Sequence, residues 1–281
     1  MPVAHDINMT QERFSKRFGY STQEKEIAIR EDAPQGLREF IIQILYEYGY
    51  QPSQLRQTIC RTLRQAPDKN NWSEYPNIDY EVRYLIENCE WFQVYDVIEA
   101  FYSKIEEKQA FADEINDYFK TNGIGWKLEN GQIIFRGDEI FETNLQKAEK
   151  TLDLAVLQTA KNEIKEAIKD ISKRPNPDIT GAVQHSIACL ECVVREVTGD
   201  KKLTLGELIK KNREIVPAPL DIVIEKMWGF SSEQGRHLQE GKEPAFDEVE
   251  LLVGLSASIS TYLARKSPKF KETGTTEYLL K

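Results

Sequence analysis

The sequence predicts an all-α fold built as two helical domains, and three observations carry the prediction. From Thr10 to about Gly123, apolar residues recur every three or four positions with short polar breaks, which is the period of helices with one buried face. One stretch, IGWKLENGQIIFRG, changes to two-residue alternation around Asn130-Gly131, a pair suited to a tight turn because both residues tolerate positive φ. It predicts a small β-hairpin over 124–136. Helical spacing then resumes at Asp138 and runs to about residue 266. The expected organisation is a helical domain over 1–137, a helical bundle over 138–266, and a frayed polar tail over 267–281. An isolated hairpin is marginal in water, so this one should lie against helices near the domain junction.

In chain order, a first helix should begin at Pro34 and bury Leu37, Phe40, Ile41, Ile44 and Leu45. Ser53 should cap a second, carrying Leu55, Ile59 and Leu63, with Arg56, Arg61 and Arg64 solvated on other faces. Between Ile78 and Phe119 three amphipathic helices follow, rich in aromatics. Such a stripe reads as core rather than as a platform for stacking bases. The segment from Gly137 to Ser172 is helix-rich, with Leu154, Leu157, Ile164, Ile168 and Ile171 apolar, until KRPNPD breaks it. Thr180 should cap the next helix, whose seam is Val183, Ile187, Leu190, Val194 and Val197 and whose stop is Gly199. TLGELIKKN, PAPLDIVIEKMWGF and FDEVELLVGLSASISTYLARK supply three more.

With 40% hydrophobic and 30% charged residues, the 281-residue chain has a globular composition. Its longest apolar runs, such as Phe40 to Tyr46, fall far short of the roughly 20 residues a membrane span needs. The amino terminus lacks the apolar centre of an export signal, so a cytoplasmic location is expected. Its four cysteines should then be packed thiols. A formal charge of −9 argues against a protein that coats nucleic acid through clustered cations, while leaving room for a small local site. No glycine-rich phosphate loop, nucleophile elbow, zincin or calcium loop is present, and no cofactor is expected.

Two places hold chemistry-bearing side chains. In SSEQGRHLQEG, Arg236 and His237 stand side by side after Gly235. His185, Cys189 and Cys192 repeat at i, i+4 and i+7 on one helical stripe. That stripe suggests zinc, but a closed structural site draws four ligands from separated segments, so the expected role is a central helix buried on two sides and no metal. Glu191 stands one turn before Arg195, the spacing of an ion pair.

Read in order, TGAVQHSIACLECVVREVTG, LTLGELIKK, MWGFSSEQGRHLQEG and SISTYLARK resemble the HEPN-like domains at the carboxy end of bacterial abortive-infection proteins of the AbiJ type. RFSKRFGY, IREDAPQGLR, WFQVYDVIEAFY and GIGWKLENGQII look like the helical amino-terminal domain that accompanies them. The resemblance implies a bundle that dimerises and, in many members, a ribonuclease that cuts RNA without a metal during phage infection or toxin release. The amino-terminal domain would then respond to a phage-derived or protein trigger. Nucleolytic members carry an Arg, a short polar gap and a His, whereas Arg236 and His237 are adjacent, as in the abortive-infection subgroup, without the apolar residue usual after the glycine. In this reading Arg236 binds phosphate, His237 moves protons, His185 supports or shares that role, and Glu191 lies beside the site. Adjacent helical residues diverge by about 100°, so Arg236 and His237 reach one ligand from a helix start or a loop, where backbone N–H groups also favour an anion. The plainer alternative pairs Arg236 with Glu233 or Glu240 and packs His237 at a helix corner. Two other functions stay open: a non-catalytic HEPN-like module for dimerisation or partner binding in a defence or toxin–antitoxin system, and an RNA-binding module that does not cut.

Overall fold

The computed structural model describes residues 18, 25–236 and 244–271, with 233–236 by backbone alone. They form helices and one two-stranded hairpin, and the chain divides into two compact units between Ile133 and Ile134. The fold is all-α with a small hairpin, and each unit has a hydrophobic core of its own.

In the first unit, helix α1 (Gln35–Glu47) follows Pro34, whose φ of −61° presets the first turn. It buries Leu37, Ile41, Ile42, Ile44 and Leu45, and Phe40 stacks on Tyr118 with ring centroids 4.2 Å apart. Helix α2 (Pro52–Leu63) starts one residue before the expected cap: Gln51 is the N-cap, and its N–H donates to Gln54 Oε1 at 2.8 Å. Ser53 lies inside the helix, its N–H donating to Glu74 Oε2 at 2.8 Å. A π-helical turn (Glu74–Ile78) leads into α3 (Asp79–Asn88), then α4 (Trp91–Tyr102) and α5 (Lys108–Thr121). Phe101, Phe111 and Phe119 are fully buried, so the aromatic stripe is core.

Arg56 departs from expectation. It forms an ion pair with Glu81 at 3.0 Å and donates to Asn71 O at 2.7 Å instead of lying in solvent. Glu81 is buried on α3 and also accepts from the Asp68 N–H at 2.7 Å and from Asn71 Nδ2 at 3.0 Å. One carboxylate thereby ties α2, the loop after it and α3 together.

Strands β1 (Trp126–Glu129) and β2 (Gln132–Phe135) flank a turn in which Asn130 and Gly131 take φ of 51° and 83°. Both residues adopt the left-handed conformation their types tolerate. Asn116 clamps β1, donating to Leu128 O at 2.9 Å and accepting from its N–H at 2.7 Å. Just upstream, Gly123 has φ of 67°, and a Cβ there would come 2.6 Å from Glu26 O, so glycine is required.

In the second unit, α6 (Glu139–Leu154) is capped by Asp138, which accepts from the Phe141 N–H at 2.7 Å. The helix-rich stretch divides into two helices at a break, with Val156 at φ 56°, before α7 (Gln158–Ser172). Helix α8 (Ile179–Thr198) is capped by Asp178 rather than Thr180, the carboxylate accepting from the Gly181 N–H at 2.8 Å. It ends at Gly199, with φ of 71°. Helices α9 (Leu205–Lys211), α10 (Asp221–Arg236) and α11 (Phe246–Ala264) complete the bundle. Helix α8 packs against α7, α9, α10 and α11. Against α11 the contact is made of small groups: the Ser256 hydroxyl donates to Ser186 O, and Cys189 Sγ lies 3.6 Å from Ser260 Oγ.

Beyond α11 the start of the tail is ordered. Ser267 is fully buried, Phe270 packs on the core, and Lys269 pairs with Glu196 at 2.9 Å. The reason is an apolar anchor two residues beyond Pro268, in a segment otherwise too polar to signal packing.

Burial acts to raise the Glu81 carboxyl, but hydrogen bonds from Asp68, Asn71 and Arg56 outweigh it and hold the group below its ordinary value. A depressed folded-state value adds stability above the unfolded value, near pH 4.3, which is lost as pH falls through the folded one. Glu81→Gln should cost about 1.5–3 kcal/mol at pH 7 and much less at pH 3.5, measured as urea unfolding at both pH values. An equal cost at the two would show that charge is not what the site uses.

Candidate functional site

The candidates whose side chains are described, His185 and Glu191, both stand on α8, and α7 supplies the partners of His185. His185 presents Nδ1 to Glu163 Oε2 at 2.7 Å and Nε2 to Asp170 Oδ2 at 3.6 Å. The two carboxylates are seven residues apart on α7, two turns along one face, so a single imidazole spans the gap between them. His185 is 39% exposed while Asp170 is only 6% exposed, and the ring therefore joins a buried carboxylate to the surface.

The cluster continues through Lys173, whose Nζ sits 2.7 Å from Asp170 Oδ1 and 3.0 Å from Asp178 Oδ2. Hydrogen bonds to Asp170 and Asp178 push the Lys173 ammonium up to about 12. Hydrogen bonds from Lys173 and from the Gly181 N–H hold the Asp178 carboxyl low. Both groups are thus charged at neutral pH, and the α8 cap is an ion pair as well as a hydrogen bond.

Gly181 is what lets α8 come this close. A Cβ at that position would fall 2.5 Å from Asp170 Oδ2 and 2.8 Å from Asp178 Oδ1, and Asp170 is too enclosed to withdraw.

An imidazole gripped at Nδ1 by a carboxylate is fixed in orientation. With Nδ1–H donating to Glu163, the Nε2 lone pair is the proton acceptor.

Glu191 takes a different place. It accepts from Arg195 Nη2 at 2.5 Å, the expected i, i+4 ion pair, and Arg195 also donates to Leu203 O at 3.3 Å. Six residues separate His185 from Glu191, about 240° around the helix, so the two face different ways. Arg236 lies in α10, at the end of that helix's described residues. Its side chain, like the whole of His237, lies outside the described residues. Among the described residues, no group of three or more His, Cys, Asp or Glu side chains is arranged to hold a metal ion.

Glu163, Asp170 and Gly181 were not singled out in the sequence. Acidic residues at 163, 166 and 170 run beside the apolar stripe of α7, and only the register against α8 selects the first and last.

Residues 12–151 match the family described as AbiJ N-terminal domain 4. The chain carries an AbiJ N-terminal domain. Comparison with curated proteins and with solved structures gave no match. The AbiJ N-terminal domain match runs past the division at Ile133 and takes in most of α6, whose Leu145, Ala148 and Leu152 belong to the second unit's core. Among the described residues no helix is long and apolar enough to cross a membrane.

Two outcomes test this geometry. Gly→Ala in a helix ordinarily gains about 1 kcal/mol, but Gly181→Ala should lose about 1–3 kcal/mol because the methyl displaces Asp170. A raised thermal midpoint would refute the close approach. Burial pushes the Cys189 thiol up to about 12 and raises Cys60, Cys89 and Cys192 as well. At pH 8 the native protein should therefore react slowly with a thiol reagent, Cys192 first and Cys189 last, and quickly at all four once unfolded.

Proposed function

We propose that this chain is an abortive-infection effector in which the AbiJ N-terminal domain regulates a carboxy-terminal HEPN-like bundle that cuts RNA without a metal. The observation that carries the defence assignment is the family match over residues 12–151. The chemistry rests on the side chains of the second unit. RNA cleavage by the 2′-hydroxyl requires a base for that proton, an acid for the departing 5′-oxygen, and positive charge beside the phosphorane oxygens. His237 is the proton-transfer residue in this reading, and the Arg236 fork holds the phosphate. His185, oriented by Glu163 at 2.7 Å, serves as a second proton carrier. The 2′-oxygen attacks phosphorus, the bond to the 5′-oxygen breaks, and the products are a 2′,3′-cyclic phosphate and a 5′-hydroxyl. A cytoplasmic location follows from an RNA substrate.

Two copies completing one site would suit a domain of this kind. A surface for such pairing is available in the second unit, where Ile140 and Leu251 are 72% and 63% exposed and Leu251 borders a cavity of about 240 Å³ with Met227, Phe230, Leu252 and Leu255. That same apolar surface favours a second reading, a non-catalytic module for dimerisation or partner binding in a defence or toxin–antitoxin system.

Purified full-length protein incubated with bacterial total RNA in chelator should yield discrete ends bearing cyclic phosphate. Arg236→Ala and His237→Ala should each lower that activity about a hundredfold or more while remaining folded, and His185→Ala about tenfold or more. Intact RNA with and without phage lysate, together with loss of self-association in Leu251→Glu, would favour the non-catalytic module instead.

A further inference from the structure

The first unit holds a cavity of about 680 Å³ between α1 and α3, and none of the residues discussed so far as catalytic candidates lines it. Its floor is apolar, made by Ile42 and Ile86, and the Tyr46 ring forms part of one wall. Large aromatic side chains stand exposed along its margin. Tyr80 and Tyr84, 69% and 55% exposed, flank the lining residues Arg83 and Glu87 on α3, and Tyr75, 58% exposed, packs against Tyr46. Three exposed rings beside a groove offer the kind of amphipathic surface that partner side chains pack against.

The charges of the groove say what kind of partner fits. Its two cations are already committed. Arg38 donates to the carbonyls of Ala33, Ile86 and Cys89, and Arg83 pairs with Asp79 at 3.1 Å. Its carboxylates are not. Glu39 and Glu47 accept only from the neutral amides of Gln35 and Gln43, both at 3.0 Å, and among the described residues no cation pairs with Glu39, Glu47 or Glu87. Those amides restrain the two glutamates without neutralising them. Eight residues apart on α1, they mark out a span of about 12 Å, close to the roughly 13 Å that separates residues four apart in an extended chain. A nucleic acid is disfavoured, because its phosphates would meet three bare carboxylates.

We infer that the α1–α3 groove is a docking site for a basic segment of a partner polypeptide, with lysine or arginine side chains about 12 Å apart on Glu39 and Glu47 and the exposed tyrosines against the cations. The groove stands on the geometry of the first unit and does not depend on RNA cleavage by the second.

The test uses the full-length chain and a fluorescein-labelled twelve-residue peptide, neutral except for lysines at positions 4 and 8, beside the same peptide with glutamates there. Anisotropy should show saturable binding of the lysine peptide alone. Glu39→Lys/Glu47→Lys/Glu87→Lys should weaken it about tenfold or more, and Tyr80→Ala/Tyr84→Ala about threefold or more. The control Glu106→Lys/Asp113→Lys/Glu214→Lys makes the same change of net charge at exposed sites elsewhere and should change binding by less than about threefold. Equal weakening in both charge-reversed proteins would overturn the proposal, as would no saturable binding below about 1 mM. It would also fall if polyuridylate bound the wild type in the groove, or if the groove variant instead lost self-association, which would make the occupant a second copy.

Discussion

The enclosure of α8 is the constraint on which the second unit is built. A helix with neighbours on most of its circumference can turn only apolar or small groups inward, and its polar backbone ends must be satisfied on the spot. Both conditions are met locally. Asp178 closes the first turn and Gly199 the last, while Ser186, Cys189, Ser256 and Ser260 keep the α8–α11 contact thin and polar enough to hydrogen-bond across. What remains exposed is a narrow margin toward α7 and the α9 connection, and it is there that His185 and Glu191 emerge. The candidate chemistry is thus held by a scaffold with little freedom to shift.

Much of this was readable before any coordinates. The spacing of apolar residues located every helix of the described chain that was expected, and Asn130-Gly131 located the hairpin, because both signals are set within a few residues of one another. Caps were harder. At Gln51 and Asp178 a neighbouring Ser or Thr offered an equally good hydroxyl, and the choice was settled by Pro52 in one case and by the approach of α8 to Asp170 in the other. The break at Val156 carries neither glycine nor proline, so no local signal announces it. Partners distant in sequence were illegible: Glu163 reaches His185 across 22 positions and Glu81 reaches Arg56 across 25, and such pairs depend on which faces two helices present to each other. His185 could be chosen as a candidate by residue type alone. Its carboxylate partners could not.

The two units differ in how they use charge. In the first, Glu81 is consumed in holding a loop, while Glu39, Glu47 and Glu87 are left open on a groove. In the second, one run of acids and bases is matched partner to partner, from Glu163 and His185 through Asp170 and Lys173 to Asp178. A matched network holds a shape, and an unmatched one presents a field to whatever approaches.

Helix α6 sits inside the family-matched region yet contributes Leu145, Ala148 and Leu152 to the core of the second unit. A module that ends in such a helix is not a bead to be strung before any effector. It travels with half of a joint, and whatever follows it must supply side chains shaped to close over that apolar face. Exchange of carboxy-terminal domains behind a module of this design would be filtered first by packing and only afterwards by activity, so unrelated effectors that share it should share the complement of α6 before they share any catalytic residue.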